Sequence, residues 1–286
     1  MADWLDGKVI EKIRWNDRLF SLRIQSALGD FLAGQFVRVA LDIDGERVAR
    51  PYSLVSRPGE DYQEIYFNIV EEGPLSPRLA ALEEGDEIFV TDKPNGFLTI
   101  EEVPECKHLW LAATGTGVGP FLSILRGEDV WRRFEKVVLA YSVRDLSELA
   151  YQQQVEKIIG QRDEKFSFAP FITREEVAGC FNKRIPDAIK DGSLEDAVGV
   201  TINDVDSHVM MCGNAEMISS VSECLEDRGL RKHRRREPGH ITTEKYHSTF
   251  SSKKVLKLCA SMICVPSQLN CILTIPCTIH MVILRR

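Results

Sequence analysis

The stretch His108-Leu-Trp-Leu-Ala-Ala-Thr-Gly-Thr-Gly-Val-Gly-Pro120 decides the architecture. Residues 108–113 are a short apolar run of the kind that makes a buried strand. Thr114–Pro120 then carries Gly115, Gly117 and Gly119, and 121–125 is apolar and helical in character. A buried strand passing through a glycine turn into a helix opens a parallel sheet covered on both faces. The chain beyond repeats the alternation. Apolar runs at 136–141, 166–172 and 207–212 predict strands; 148–160, 184–191 and 214–228 predict helices, with Gly160 and Gly229 as stops.

Upstream the rhythm is different. Residues 7–14, 18–25 and 36–43 alternate apolar and polar positions, the period of half-buried strands. Further strands are predicted at 47–55, 63–70 and 86–92, with turn chemistry at Asn16-Asp17, Gly45, Pro58-Gly59 and Gly85-Asp86. Short strands so punctuated predict a barrel or sandwich. A short helix is expected at 75–82, where Pro77 suits a first turn. The boundary between the two halves falls near Glu101–Lys107.

The glycine turn offers close backbone approach and the amides of a helix N-terminus, which suit a phosphate. Its spacing is not the G-x-G-x-x-G fingerprint, so a tight turn without a ligand remains open. Arg144 and Arg174 follow predicted strands, at the edge where open parallel sheets bind ligands, and Arg184 begins a helix. Three convergent guanidinium groups would grip a 2′-phosphate and favour NADPH over NADH; solvated surface arginines are the alternative. Arg50-Pro-Tyr-Ser53 places a cation, an aromatic ring and a hydroxyl within four residues. That set suits a flavin dinucleotide lying across a strand, and equally a plain strand with surface Arg and Ser.

Together with Gly73-Pro-Leu-Ser-Pro-Arg-Leu79, Cys212-Gly-Asn214 and Arg234-Arg-Arg-Glu-Pro-Gly-His240, these segments resemble the bacterial ferredoxin/flavodoxin–NADP reductases, from Met1 to about Tyr246. The resemblance implies an antiparallel Greek-key β-barrel that binds FAD, over 1–101, followed by an α/β parallel-sheet domain for NADP(H), over 102–247. It places Arg50, Pro51, Tyr52 and Ser53 on the flavin, with Ser53 near its reactive nitrogen. Tyr66, Phe67, Asn68 and Ile69 match the next flavin strand; Pro74, Leu75 and Ser76 match the turn that receives the FAD phosphates. Thr116 matches the glycine-turn residue that reaches the flavin. Val143, Arg144, Thr173, Arg174 and Arg184 match the NADP side, and Cys212, Gly213 and Asn214 the turn beside the nicotinamide. Ser53 and Cys212 are the catalytic candidates.

The implied activity is hydride transfer from NADPH to FAD, then single-electron transfer to ferredoxin or flavodoxin. A non-catalytic flavin or nucleotide sensor and an NADH-fed reductase component of an oxygenase are the competing readings. The formal charge is −7, so an acidic carrier needs a local basic patch, and 231–236 (RKHRRR) or Arg126, Arg132, Arg133 and Lys136 would supply it. The same net charge makes a nucleic-acid role a poor fit. At 44 % hydrophobic and 28 % charged the chain reads as a soluble globular protein; its eight scattered cysteines suit a reducing cytoplasm, and a monomer is expected. Asp3 and Asp6 interrupt any secretory signal, and neither cysteine nor histidine spacing predicts a metal site.

The relatives end just after a segment like Thr243-Glu-Lys-Tyr246, on a Trp that folds over the FAD. Here His247 takes that place, with Tyr246 before it, and residues 248–286 follow. That extension holds no Asp or Glu and four of the eight cysteines, at C-x4-C-x6-C-x5-C. It reads as an atypical addition, through read-through or a frameshift; a membrane anchor fits poorly, because polar residues and prolines interrupt 258–284.

Overall fold

The computed structural model describes residues 3–246. The expectations for His247 and for 248–286 lie outside the described residues.

The alternating segments form β1 (Trp4–Arg14), β2 (Leu19–Ser26), β3 (Phe36–Ile43), β4 (Glu46–Ser53), β5 (Gln63–Asn68) and β6 (Glu87–Thr91). They build one antiparallel sheet in the order β4-β3-β6-β1-β2-β5. The sheet curls until its edges meet at a Leu54–Ile65 bridge, where the Val55 amide donates to the Glu64 carbonyl at 2.8 Å. Inward residues such as Val9, Leu22, Ile24, Val39, Ile65 and Val90 fill the interior. The alternation in β1 breaks at a register shift between Val9 and Glu11, which leaves Ile10 41 % exposed. Helix α1 (Ser76–Ala81) has Pro77 in its first turn and sinks Leu79 into the same interior.

The second half forms β7 (His108–Thr114), β8 (Lys136–Val143), β9 (Phe166–Ile172), β10 (Ser207–Gly213) and β11 (Ile241–Lys245). All are parallel, in the order β11-β10-β7-β8-β9. Between them run α2 (Gly119–Arg126), α3 (Asp129–Arg133), α4 (Gln152–Arg162), α5 (Ile185–Lys190), α6 (Ser193–Val198) and α7 (Ala215–Glu226). Both faces of the sheet are covered, which is why its strands read as continuous apolar runs. Leu109, Leu111 and Ala113 pack with Phe121 and Leu125, while Trp110 and Ala112 pack with Ile189 and Val221.

Three elements escape the sequence pattern. Strand β11 buries only Ile241 in Ile241-Thr-Thr-Glu-Lys245, so it carries no apolar run, and it exists because β10 offers a free edge. Helices α3 and α6 are five and six residues long, too short for a periodic signal. Gly160 does not stop α4, which continues to Arg162; a side chain there would meet nothing, so the glycine is a tolerated surface position.

Chain order sets the place for a site. From β7 the sheet grows through β8 and β9 on one side, then through β10 and β11 on the other. The switch point lies between β7 and β10, and a crevice forms beyond their carboxyl ends.

Candidate active site

At that switch point two turns interlock. A side chain at Gly117 would collide with the Cys212 carbonyl, and one at Gly213 (φ +131°) would collide with the Thr114 hydroxyl. The Thr114 hydroxyl accepts the Asn214 amide at 2.8 Å. The Asn214 side chain then caps α7 by accepting the Glu216 amide at 2.7 Å. The glycines therefore have separate duties. Gly117 admits the β10 turn, and Gly119 admits Val55 of the first lobe, with a Cβ there 3.4 Å from Val55 Cγ2. Gly115 (φ +52°) is the one that faces open space.

The approach at Gly119 brings the end of β4 to the end of the parallel sheet. Ser53, 7 % exposed, donates from Oγ to Glu244 Oε1 at 3.4 Å and lies 3.3 Å from the Tyr246 hydroxyl. The Tyr246 hydroxyl also donates to the Thr116 carbonyl at 3.2 Å. The Cys212 thiol, fully buried, is a neighbour of both Tyr246 and Glu244. Four of the residues singled out from sequence, Ser53, Thr116, Cys212 and Tyr246, thus converge from both lobes. The structure adds Glu244. Burial pushes its carboxyl up to about 7, against the Ser53 hydrogen bond, which pulls the other way. Burial and the Glu244 charge push the Cys212 thiol well above its ordinary range, so it stays a neutral thiol. Glu244 left no sequence signal beyond an acid two places before Tyr246, because the strand that carries it is itself silent.

The flavin-side residues divide by strand alternation. On β4, Arg50 is half-buried, its Nη1 donates to the Ala49 carbonyl at 2.7 Å, and no carboxylate pairs with it among the described residues. Pro51 is exposed, and the half-buried Tyr52 meets Phe67 edge to face at 6.0 Å. On β5, Phe67 turns into the barrel, whereas Tyr66 turns toward the second lobe and packs against Trp15 and Tyr151. Asn68 is exposed, and the Ile69 amide donates to the Arg18 carbonyl at 2.8 Å. At the start of α1, Pro74 is exposed, Leu75 is buried, and the Ser76 hydroxyl accepts the Val70 amide at 2.9 Å. The Leu75 and Ser76 amides have no acceptor among the described residues. A half-buried cation without an acid, an aromatic ring beside it and two unpaired amides fit an aromatic dinucleotide with its phosphates.

On the other side, the loops after β8 and β9 are stitched together. The Thr173 amide and hydroxyl both reach the Val143 carbonyl, at 3.2 and 3.3 Å, and the Arg174 amide donates to the Arg144 carbonyl at 2.9 Å. Arg144 and Arg174 are exposed side by side, with no acidic partner for either guanidinium among the described residues. Arg184 is apart from them in kind: it pairs with Glu216 at 3.3 Å, both exposed.

Of the two basic patches expected for a carrier, the one at 126–136 loses Arg126 and Arg133 from its four residues. Arg126 is bound to Glu60 at 2.8 Å and to the Val55 carbonyl, and Arg133 is spent on the Ile100 and Val103 carbonyls. Both are internal braces, because a guanidinium with several donors satisfies carbonyls that a short loop leaves unpaired. In the 231–236 run, Arg235 pairs with Glu102 at 2.6 Å and lies over the exposed ring of Phe97 at 4.1 Å, while Arg231 and Arg236 keep no acidic partner among the described residues. Among the described residues no cluster of His, Cys, Asp or Glu could hold a metal ion, and no helix is long and apolar enough to cross a membrane.

Comparison with known proteins agrees with this geometry. The family model for the oxidoreductase FAD-binding domain matches residues 7–97, and that for the oxidoreductase NAD-binding domain matches 111–223. The flavodoxin/ferredoxin–NADP reductase of Escherichia coli (strain K12) is 44 % identical over 248 residues, covering 86 % of this chain and 100 % of that protein. The ferredoxin–NADP reductase of Azotobacter vinelandii is 37 % identical over 248 residues, covering 83 % of this chain and 95 % of that protein. A crystal structure of a ferredoxin NADP+ reductase from Neisseria gonorrhoeae with bound FAD and NADP superposes with a TM-score of 0.81 at 31 % identity, covering 86 % of this chain and 99 % of that one. A curled antiparallel sheet joined to a parallel sheet is the fold the two share, and the chain belongs to the flavodoxin/ferredoxin–NADP reductase family.

Proposed function

We propose that this protein exchanges electrons between NADP(H) and ferredoxin or flavodoxin through FAD. The observation that carries the reading is the meeting of Ser53 from the first lobe with Glu244, Tyr246, Cys212 and Thr116 from the second, at the switch point of the parallel sheet. FAD, when bound, supplies acceptance of a hydride and its release as single electrons. Arg50, Tyr52 and Ser53 on β4, the strand 66–69 and the amides at Leu75 and Ser76 are the residues that would hold it.

The work of the chain is alignment. Arg144 and Arg174, held at one height by the backbone bond between their loops, present two free guanidinium groups to a 2′-phosphate. Gly115 leaves the turn open for the rest of the nucleotide. Cys212, small and neutral at the end of β10, lets a flat ring approach that edge. Ser53 holds a hydroxyl at the junction, and Glu244, titrating near neutrality, can give or take a proton through it. The unpaired Arg231 and Arg236, with Phe97 exposed beside Arg235, offer an acidic carrier both charge and an apolar foothold. The four described cysteines are free thiols, as a reducing cytoplasm would keep them.

Anaerobic addition of NADPH to the purified yellow protein tests the reading. Bleaching, followed by rapid reduction of an added flavodoxin, is expected. A yellow protein that NADPH leaves unchanged would point to a sensor instead, and one that prefers NADH would point to an oxygenase-type reductase.

A further inference from the structure

The two lobes are also joined by a buried polar seam set apart from the Ser53–Glu244 junction. Glu64, on β5, is 0 % exposed, yet it carries a carboxylate. The Tyr151 hydroxyl, from the entry to α4, donates to its Oε1 at 2.8 Å. Arg23 reaches its Oε2 at 3.2 Å, and Arg126, at the end of α2, lies 3.7 Å from the same oxygen. Tyr151 is also bonded to Ser21 at 2.6 Å and packs at a tilt against Trp15, with ring centroids 4.4 Å apart. Its backbone is left-handed, at φ +63° and ψ +18°, a region that residues other than glycine rarely adopt. The strain is tolerated only where the surroundings over-determine the position, and such strain gathers at functional places. Burial and the Glu64 charge push the Tyr151 phenol well above its ordinary range, so it remains a donor.

The seam ends at both halves of the junction. The Glu64 amide donates to the Ser56 hydroxyl at 3.0 Å. Ser123, on α2, donates to the Ser56 carbonyl at 2.6 Å, and Arg126 donates to the Val55 carbonyl at 3.2 Å. Val55 and Ser56 continue directly from Ser53. Helix α2 begins at the glycine turn. One helix therefore carries the nucleotide turn at its start and the grip on the Ser53 segment further along. A buried ion pair is weak as a source of stability, since an apolar replacement often serves as well. In some proteins such a group serves instead to specify a single geometry.

We propose that the Tyr151–Glu64–Arg126 seam sets the spacing between the Ser53 segment and the glycine turn, and that Tyr151 is a positioning residue for the reaction. The inference rests on the reductase reading above. Tyr151 touches neither Ser53 nor the glycine turn; it acts through Glu64, Ser56 and α2. Tyr151→Phe removes one hydroxyl and keeps the ring on Trp15, so the fold survives while the spacing loosens.

The test is stopped-flow bleaching of the FAD-loaded full chain at saturating NADPH, together with FAD content, NADPH affinity and the long-wavelength absorbance that appears when NADP+ stacks on a flavin. Y151F is expected to bleach about tenfold more slowly, because small misplacements of reacting rings cost rate steeply. Its FAD content and NADPH affinity stay at parental values, and its long-wavelength band weakens. A merely structural tyrosine would lower the melting temperature and leave the band and the saturated rate untouched, which overturns the proposal. Should Y151F fail to fold, Ser123→Ala at the other end of the seam decides: a fall of about threefold with a weakened band supports it, and parental behaviour overturns it. If NADPH bleaches not even the parental protein, the reductase reading has failed, and this outcome is distinct from a failure of the seam.

Discussion

Two stretches of the same sheet edge use opposite physics. After β8 and β9, Arg144 and Arg174 stand exposed and without acidic partners among the described residues. At the ends of β10 and β11, Cys212, Glu244 and Tyr246 are drawn inward against Ser53. Exposed unpaired cations cost little to maintain and wait for an anion. A carboxyl withdrawn from water is costly as an ion, so it becomes a group that moves a proton near neutral pH. On the reading proposed above, one region would bind and the other handle chemistry, and chain topology puts them on one edge because parallel strands all end there.

The comparison can be broken in order of effect size. Replacing both Arg144 and Arg174 by alanine should raise the KM for NADPH by at least about a hundredfold, at about 1.5–3 kcal/mol for each charged hydrogen bond lost, while KM for NADH stays put. Equal effects on the two nucleotides would remove the phosphate role from that edge. Glu244→Gln should slow anaerobic bleaching at saturating NADPH by about tenfold without moving KM, and should flatten the rate profile between pH 6 and 8, roughly the range set by a carboxyl near 7. A profile that keeps its shape in E244Q would assign that titration to another group.

Stability offers a sharper version. Glu244 has its carboxyl raised on folding, so the folded chain holds the proton more tightly than the unfolded chain. Its favourable contribution is present at low pH and is lost as pH rises from the ordinary carboxylate range through about 7. The melting temperature of E244Q should therefore gain on the parent as pH is raised across that window, and a constant difference would show that Glu244 is solvated. The smallest effect is expected at Arg184, whose charge is already shared with Glu216: Arg184→Ala should raise the KM for NADPH by only about threefold, the size of a partly screened exposed contact.

Much of this was legible beforehand. Apolar runs and period-two alternation located the strands of both sheets except β11, since burial on one face or two leaves a direct trace in composition. Ser53, Thr116, Cys212 and Tyr246 were named from the resemblance to the reductase family, and they do meet. What was missed follows a rule. Glu244 sits on a strand held by the free edge of β10 rather than by its own apolar residues. Arg126 and Arg133 looked like surface charge, and only the fold shows that they brace carbonyls. Gly117 read as room for a ligand and turned out to be room for the Cys212 carbonyl.

The sequence by itself determined the two sheets, their order along the chain and the family of the protein, because local periodicity and short motifs survive without knowledge of contacts. The tertiary structure alone decided which charged groups are free, which are braces, and where a carboxyl loses its water. Those are properties of a residue's neighbours, and the decisive neighbours here lie far along the chain: Ser53 beside Glu244, and Glu64 beside Tyr151.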